Sequence, residues 1–125
     1  MNILNEVTMD QIKALLPVIK NAMLDKKASE IRILDISKIS SIADYFVITN
    51  GDNANQVQAI VDSVDEALGK LGHHPRAVEG YRNAGWILMD YGDIIINVFS
   101  REDRLFYDLE RIWRDGKVID ISEED

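Results

Sequence analysis

Asp90 and Asp93 are the first residues in this chain whose types could do chemistry. On adjacent strands, two carboxylates can bind a divalent metal or share acid–base work. They also flank Tyr91-Gly92, and aspartate is a turn former at strand ends. No third acid joins them at alternating spacing, so a tight hairpin is the favoured reading. His73-His74, just before Pro75, is a second candidate. Adjacent side chains point apart and rarely share one metal without further ligands. The chain has no other histidine, so a His-rich catalytic site cannot be assembled, and a solvent-facing loop is expected. The third candidate is Asn50-Gly51-Asp52, a glycine at a strand-to-helix turn of the kind that can cradle phosphate. The full G-x-x-x-x-G-K-[ST] and G-x-G-x-x-G patterns are absent, and Asp52 would repel a phosphate. No serine stands in G-x-S-x-G. The absence of cysteine excludes disulfides, thiolate catalysis and cysteine-ligated metals.

The elements that would position these residues follow from periodicity. Thr8, with Gln11 three positions on and Val7 opposite Ile12, reads as a capped helix start. Ile12, Leu16, Ile19 and Met23 continue it at helical spacing, with Pro17 expected to kink it. Glu30–Ile36 and Asp44–Thr49 read as strands, the second so apolar that it should be covered on both faces. Asn53-x-x-Gln56 opens the longest helix, whose stripe is Val57, Ile60, Val61, Val64, Leu68 and Leu71, with Gly72 as its stop. Short strands are expected over Ala77–Gly80, Gly85–Asp90 and Asp93–Phe99. A last helix should start near Ser100 and carry Leu105, Leu109, Ile112 and Trp113. The order α-β-β-α-β-β-β-α implies an α/β (α+β) domain: a mixed five-stranded sheet with flanking helices. The expected division is one domain over residues 1–116 and a short acidic tail over 117–125.

A chain of 125 residues with 46% apolar content is the size of one domain and can build a core without metal or disulfide. No signal peptide or membrane-length apolar run is visible, which makes the cytoplasm the default compartment. The net charge of −8, with Lys26-Lys27 as the longest basic run, argues against DNA binding and leaves little room for direct RNA contact. It favours a basic protein as partner.

The last third of the chain is unusually rich in the residues that dominate binding hot spots: Trp86, Tyr91, Arg104, Tyr107 and Trp113. An aromatic core accounts for Tyr107 and Trp113. Trp86 is more open to function, because strand alternation puts it on one face with Leu88 and Asp90.

These residues belong to an ordered set: Ala43-Asp44-Tyr45-Phe46-Val47-Ile48 and Gly51, Gln56-x-x-Ala59-Ile60, Glu79-Gly80, Trp86-x-Leu88-x-Asp90-Tyr91-Gly92-Asp93, Phe99, and Arg104-x-x-Tyr107-x-Leu109-Glu110-x-x-Trp113. In this the chain resembles the ribosomal silencing factor, or Iojap-like, family over nearly its whole length. Members often carry serine after the glycine where Asp52 stands here, and many have histidine in place of Asn97. The resemblance implies a nucleotidyltransferase-like fold without catalytic residues, no enzymatic activity and no cofactor. It implies binding to the large ribosomal subunit through a basic protein on its intersubunit face, the fourteenth of the large-subunit set. The small subunit is then blocked from joining and translation falls. The family's binding residues carry over to Glu79, Trp86, Leu88, Asp90, Tyr91, Gly92, Asp93, Ile95 and Asn97. A small nucleotidyltransferase-type enzyme, or an adaptor for another basic protein, is the alternative. Exposed strand edges can pair two copies, which leaves a homodimer open.

Overall fold

A computed structural model describes residues 3–102 and 117–118, with side chains for residues 11–102. Helix α1 spans Ile3–Asp25. Its stripe of Ile12, Leu16, Ile19 and Met23 is buried, as the spacing predicts. The helix starts upstream of Thr8, so Thr8 lies inside it and not at the cap. Nothing from Ile3 to Val7 is a glycine or proline that would stop it there. The helix continues unbroken through Pro17. Buried Leu16 and Ile19 on either side hold the segment against the loss of one ladder hydrogen bond.

Strands β1 (Ser29–Asp35) and β2 (Tyr45–Gly51) pair antiparallel. Helix α2 (Ala54–Gly69) follows, with the Asn53 carboxamide oxygen accepting the Gln56 N–H at 2.9 Å. The expected capping box is only half made. The Gln56 side-chain oxygen accepts from Asp52 N–H at 2.6 Å, not from the cap residue. Its Nε2 donates to the carbonyls of Lys26 and Lys27 at 3.1 and 3.0 Å. One amide therefore ties the end of α1 to the start of α2, and satisfies carbonyls that a helix end leaves without partners.

Strands β3 (Ala77–Glu79), β4 (Trp86–Asp90) and β5 (Ile94–Ser100) complete the expected five. A sixth, β6 (Lys117–Val118), pairs with β1. It lies in the stretch read as a tail; two residues carry no periodicity that could announce a strand. The order is β3-β4-β5-β2-β1-β6, with β2 and β5 parallel and the other pairs antiparallel. Ser100 ends β5, and the helix expected to follow it lies, beyond Glu102, outside the described residues.

Both described helices pack on one face of the sheet. There Ile33, Val47, Ile87, Met89, Ile96 and Val98 meet Leu16, Ile19, Ile60, Val64 and Leu68. The opposite face has its own smaller cluster of Leu34, Ile36, Phe46, Ile48 and Phe99, with Trp86 and Ile95 half-buried at its margin. Strand β2, central in the sheet, is buried at every position, which is what a continuous apolar run demands.

Candidate functional site

Strand β4 reads Trp-Ile-Leu-Met-Asp and alternates in burial. Ile87 and Met89 point into the helix-covered core at 0% exposure, whereas Trp86, Leu88 and Asp90 stay half-buried on the other face. Pairing then assembles rows across that face. Glu79, Leu88 and Asn97 lie side by side, as do Ala77, Asp90 and Ile95, and Trp86 sits opposite Phe99. Of the residues expected from sequence, Glu79, Trp86, Leu88, Asp90, Ile95 and Asn97 are thus brought onto one face. Glu79 is exposed and Leu88 and Ile95 are half-buried, while Asn97 is fully buried and does not reach the surface.

Among the described residues, Phe99 and Asn97 both hold Trp86. Its ring stacks on Phe99, with centroids 5.1 Å apart and planes at 25°. Its Nε1–H donates to Asn97 Oδ1 at 2.9 Å. Asn97 and Trp86 are diagonal neighbours on the paired strands, within reach for a side chain as long as tryptophan.

Asp90 is occupied by its surroundings. Its Oδ1 accepts the Gly92 N–H at 2.8 Å, closing a local turn. Arg76 Nη2 reaches both carboxylate oxygens at 3.2 Å, and the Arg76 backbone N–H donates to the Asp90 carbonyl at 2.7 Å. Nothing in the sequence pattern singles out Arg76; only the β3–β4 register places it here. The hairpin loop is Gly92-Asp93, one residue later than Tyr91-Gly92, because Tyr91 N–H still pairs with the Ile94 carbonyl. Gly92 takes φ +88°, the positive angle that the first residue of a two-residue hairpin loop requires. The Asp93 carbonyl accepts from Asp44 N–H and Tyr45 N–H at 2.9 and 3.0 Å, pinning the hairpin to the start of β2. The Asp93 side chain is exposed.

Tyr91 departs from the group. It continues the alternation of Ile87 and Met89 and packs against the helix-side core. It lines a small cavity of about 130 Å³ with Ile12, Leu15, Leu68, His73, His74 and Asp93. Its hydroxyl is buried without a hydrogen-bond partner, and burial, with the nearby charge of Asp65, pushes its pKa well above the usual tyrosine range. The histidines read as a solvent-facing loop border this cavity, His74 exposed and His73 half-buried.

At the end of β2, the Asp52 N–H that a phosphate-binding turn would offer is taken by Gln56. Beyond the turn chemistry, no group of three or more His, Asp or Glu residues that could hold a metal ion occurs among the described residues. None of their helices is long and apolar enough to cross a membrane.

The family model described as "Ribosomal silencing factor during starvation" matches residues 9–125. The chain belongs to the ribosomal silencing factor family. A ribosomal silencing factor of Halalkalibacterium halodurans is 37% identical over 108 residues, covering 86% of this chain and 92% of the relative. That of Bacillus subtilis is 37% identical over 110 residues, covering 88% and 93%. The chloroplast Iojap protein of Zea mays is 25% identical over 95 residues, 76% of this chain but 41% of the longer plant protein. Crystal structures agree in fold. One from Bacillus halodurans superposes with a TM-score of 0.77 at 34% identity, covering 86% of this chain and 98% of that one. One from Chromobacterium violaceum gives 0.79 at 31% identity, covering 82% and 85%. The mixed α/β fold is therefore shared with these solved structures, and the family's name ties it to translation.

Proposed function

We propose that this silencing factor binds the large ribosomal subunit through a basic protein on the subunit's intersubunit face, the fourteenth of the large-subunit set. Bound there, it blocks the small subunit from joining and lowers translation. It works in the cytoplasm by occlusion, without catalysis or cofactor. The observation that carries this reading is the half-buried strip of Trp86, Leu88 and Ile95, with exposed Glu79 beside Leu88 and exposed Asp93 on the hairpin that follows β4. An aromatic and aliphatic centre with an acidic rim fits a partner that is basic and partly apolar. The net charge of −8 supports a protein contact over an RNA one. Asp90, the acid best placed for metal chemistry, is engaged by Arg76 and Gly92, which supports a non-catalytic role.

The test is sedimentation of the purified protein with isolated large subunits, followed by addition of small subunits. The expected result is cosedimentation with large subunits and loss of whole ribosomes as the protein is titrated in. No binding at moderate salt, or binding that leaves subunit joining unaffected, would overturn the reading.

A further inference from the structure

We infer that Asn97 is a positioning residue for the docking strip: it fixes the orientation of Trp86 from beneath, without itself touching the partner. The inference rests on the proposed binding role of the strip. Three observations carry it. Asn97 is 0% exposed, so a partner seated on this face cannot reach it. Its Oδ1 accepts the Trp86 indole N–H at 2.9 Å. Its Nδ2 is buried with no hydrogen-bond partner.

The unpartnered amide nitrogen is the informative part. An unsatisfied buried donor opposes folding, and an aliphatic residue of similar size would avoid it. What an aliphatic residue cannot supply is an acceptor for Trp86. Indole N–H only donates, so the carboxamide must turn its oxygen towards the ring. That choice strands the nitrogen. The side chain therefore gives up one hydrogen-bonding group and secures the other on the tryptophan. With Phe99 stacked on the ring and Asn97 on its nitrogen, the indole is restrained in position and in rotation.

A second consequence concerns what the partner meets. The one polar atom of Trp86 is bonded inward, so the exposed remainder of the ring is hydrocarbon. With Leu88 next along the face and Ile95 further on, opposite Asp90, the strip presents an apolar surface prearranged before contact. Prearrangement lowers the ordering cost of association and lengthens residence. The group that fits it is an aliphatic side chain or the methylene stem of a lysine or arginine, not a hydrogen-bond acceptor reaching for the indole nitrogen.

Asn97→Leu removes the acceptor and the stranded donor together, and Asn97→His restores an acceptor nitrogen. The readouts are the Trp86 indole N–H resonance, with its hydrogen-exchange protection, and affinity for isolated large subunits. We expect Asn97→Leu to stay folded, to lose protection at the indole N–H, and to bind about tenfold more weakly, chiefly through faster dissociation. Asn97→His should recover both protection and affinity. If Asn97→Leu does not fold, Asn97→Ser carries the same test, being too short to reach the ring. An indole freed in Asn97→Leu with undiminished affinity overturns this inference alone. So does weakened binding with an unchanged indole resonance, which would mean direct contact by Asn97. If Trp86→Ala binds as well as the parent protein, the placement of the docking strip fails and this inference falls with it.

Discussion

The α-carbon of Gly80 lies directly against the backbone carbonyl of Trp86, and a Cβ built on Gly80 would run into that oxygen. Gly80 also takes φ +81°, a conformation that side-chain-bearing residues rarely adopt. Glu79-Gly80 thus ends β3 in a turn that strongly favours glycine, immediately beside Trp86. Gly80→Ala combines a steric clash with left-handed strain, together roughly 2 kcal/mol or more. The expected outcome is a melting temperature lower by about 8 °C or more, measured by circular dichroism. A drop of only a degree or two would mean that the β3–β4 turn relaxes without resistance.

Trp86→Ala should lower both stability and binding. The ring is half-buried, stacked on Phe99 and bonded to Asn97, so truncation loses packing and leaves both ends of the Asn97 amide without a partner. That cost is about 2–3 kcal/mol of folding stability. A desolvated aromatic anchor adds ~2 kcal/mol to binding, a roughly thirtyfold loss of affinity for large subunits. Affinity is measured well below the variant's melting temperature, so that the two losses are separated.

Asp90 and Asp93 should differ, although both are acids at one hairpin. Arg76 already neutralises Asp90, whereas the Asp93 side chain is exposed. Asp93→Asn is expected to slow association with large subunits at low salt, with the effect shrinking as salt rises. Asp90→Asn, which keeps an oxygen for the Gly92 N–H, should change association less. Equal effects of the two substitutions would contradict the screening by Arg76.

Gln56→Ala removes the hydrogen bonds to Asp52 N–H and to the carbonyls of Lys26 and Lys27. Those bonds link two helices and replace water at one helix end, so a loss of about 2 kcal/mol is expected in denaturant unfolding. Gln56→Glu should be worse at neutral pH than in acid, because a carboxylate would face two carbonyl oxygens where an amide now donates.

Asp44 gives the protein a pH dependence. Burial, then the charges of Asp93 and Asp35, raises its carboxyl above the ordinary aspartate value of 3.8. A raised acid holds its proton more tightly in the folded than in the unfolded state. Its favourable contribution is complete below 3.8 and is lost as pH rises through the folded value. Asp44→Asn, which cannot ionise, should therefore melt slightly higher than the parent at neutral pH. The two should converge at about pH 3, where Asp44 is protonated in both states.

Much of this molecule is readable from its residues. The stripe of α2 is buried as its spacing predicts from Val57 to Leu68, and fails only at Leu71, which is 54% exposed because the helix ends at Gly69. The alternation of β4 places Trp86 and Leu88 together. The same alternation, carried one step further, separates Tyr91 from them, a signal that grouping the motif as one binding unit overlooks. Asn97 was not readable as buried. A polar residue between Ile95 and Phe99 looks like the solvent side of a strand, and its burial under the Trp86 indole is a tertiary contact that the local pattern does not encode. The bond from Arg76 to Asp90 and the clamp of Gln56 on α1 join residues whose proximity is set by register and helix packing, which no local pattern encodes.

The parallel pairing of β2 with β5 has a consequence for how the chain reaches this form. Tyr45 lies beside Ile94, and everything between them, including α2 and the β3–β4 hairpin, must be made before that pair can close. Contacts so distant along the chain form slowly, because closing the intervening loop costs entropy before any contact rewards it. During synthesis, β2 therefore emerges with one apolar edge bare and waits for a partner that is translated much later. A chain halted before Ile94 keeps that edge open, which makes it a template for aggregation. The strand that ends up buried at every position is thus one that must first wait with an edge exposed.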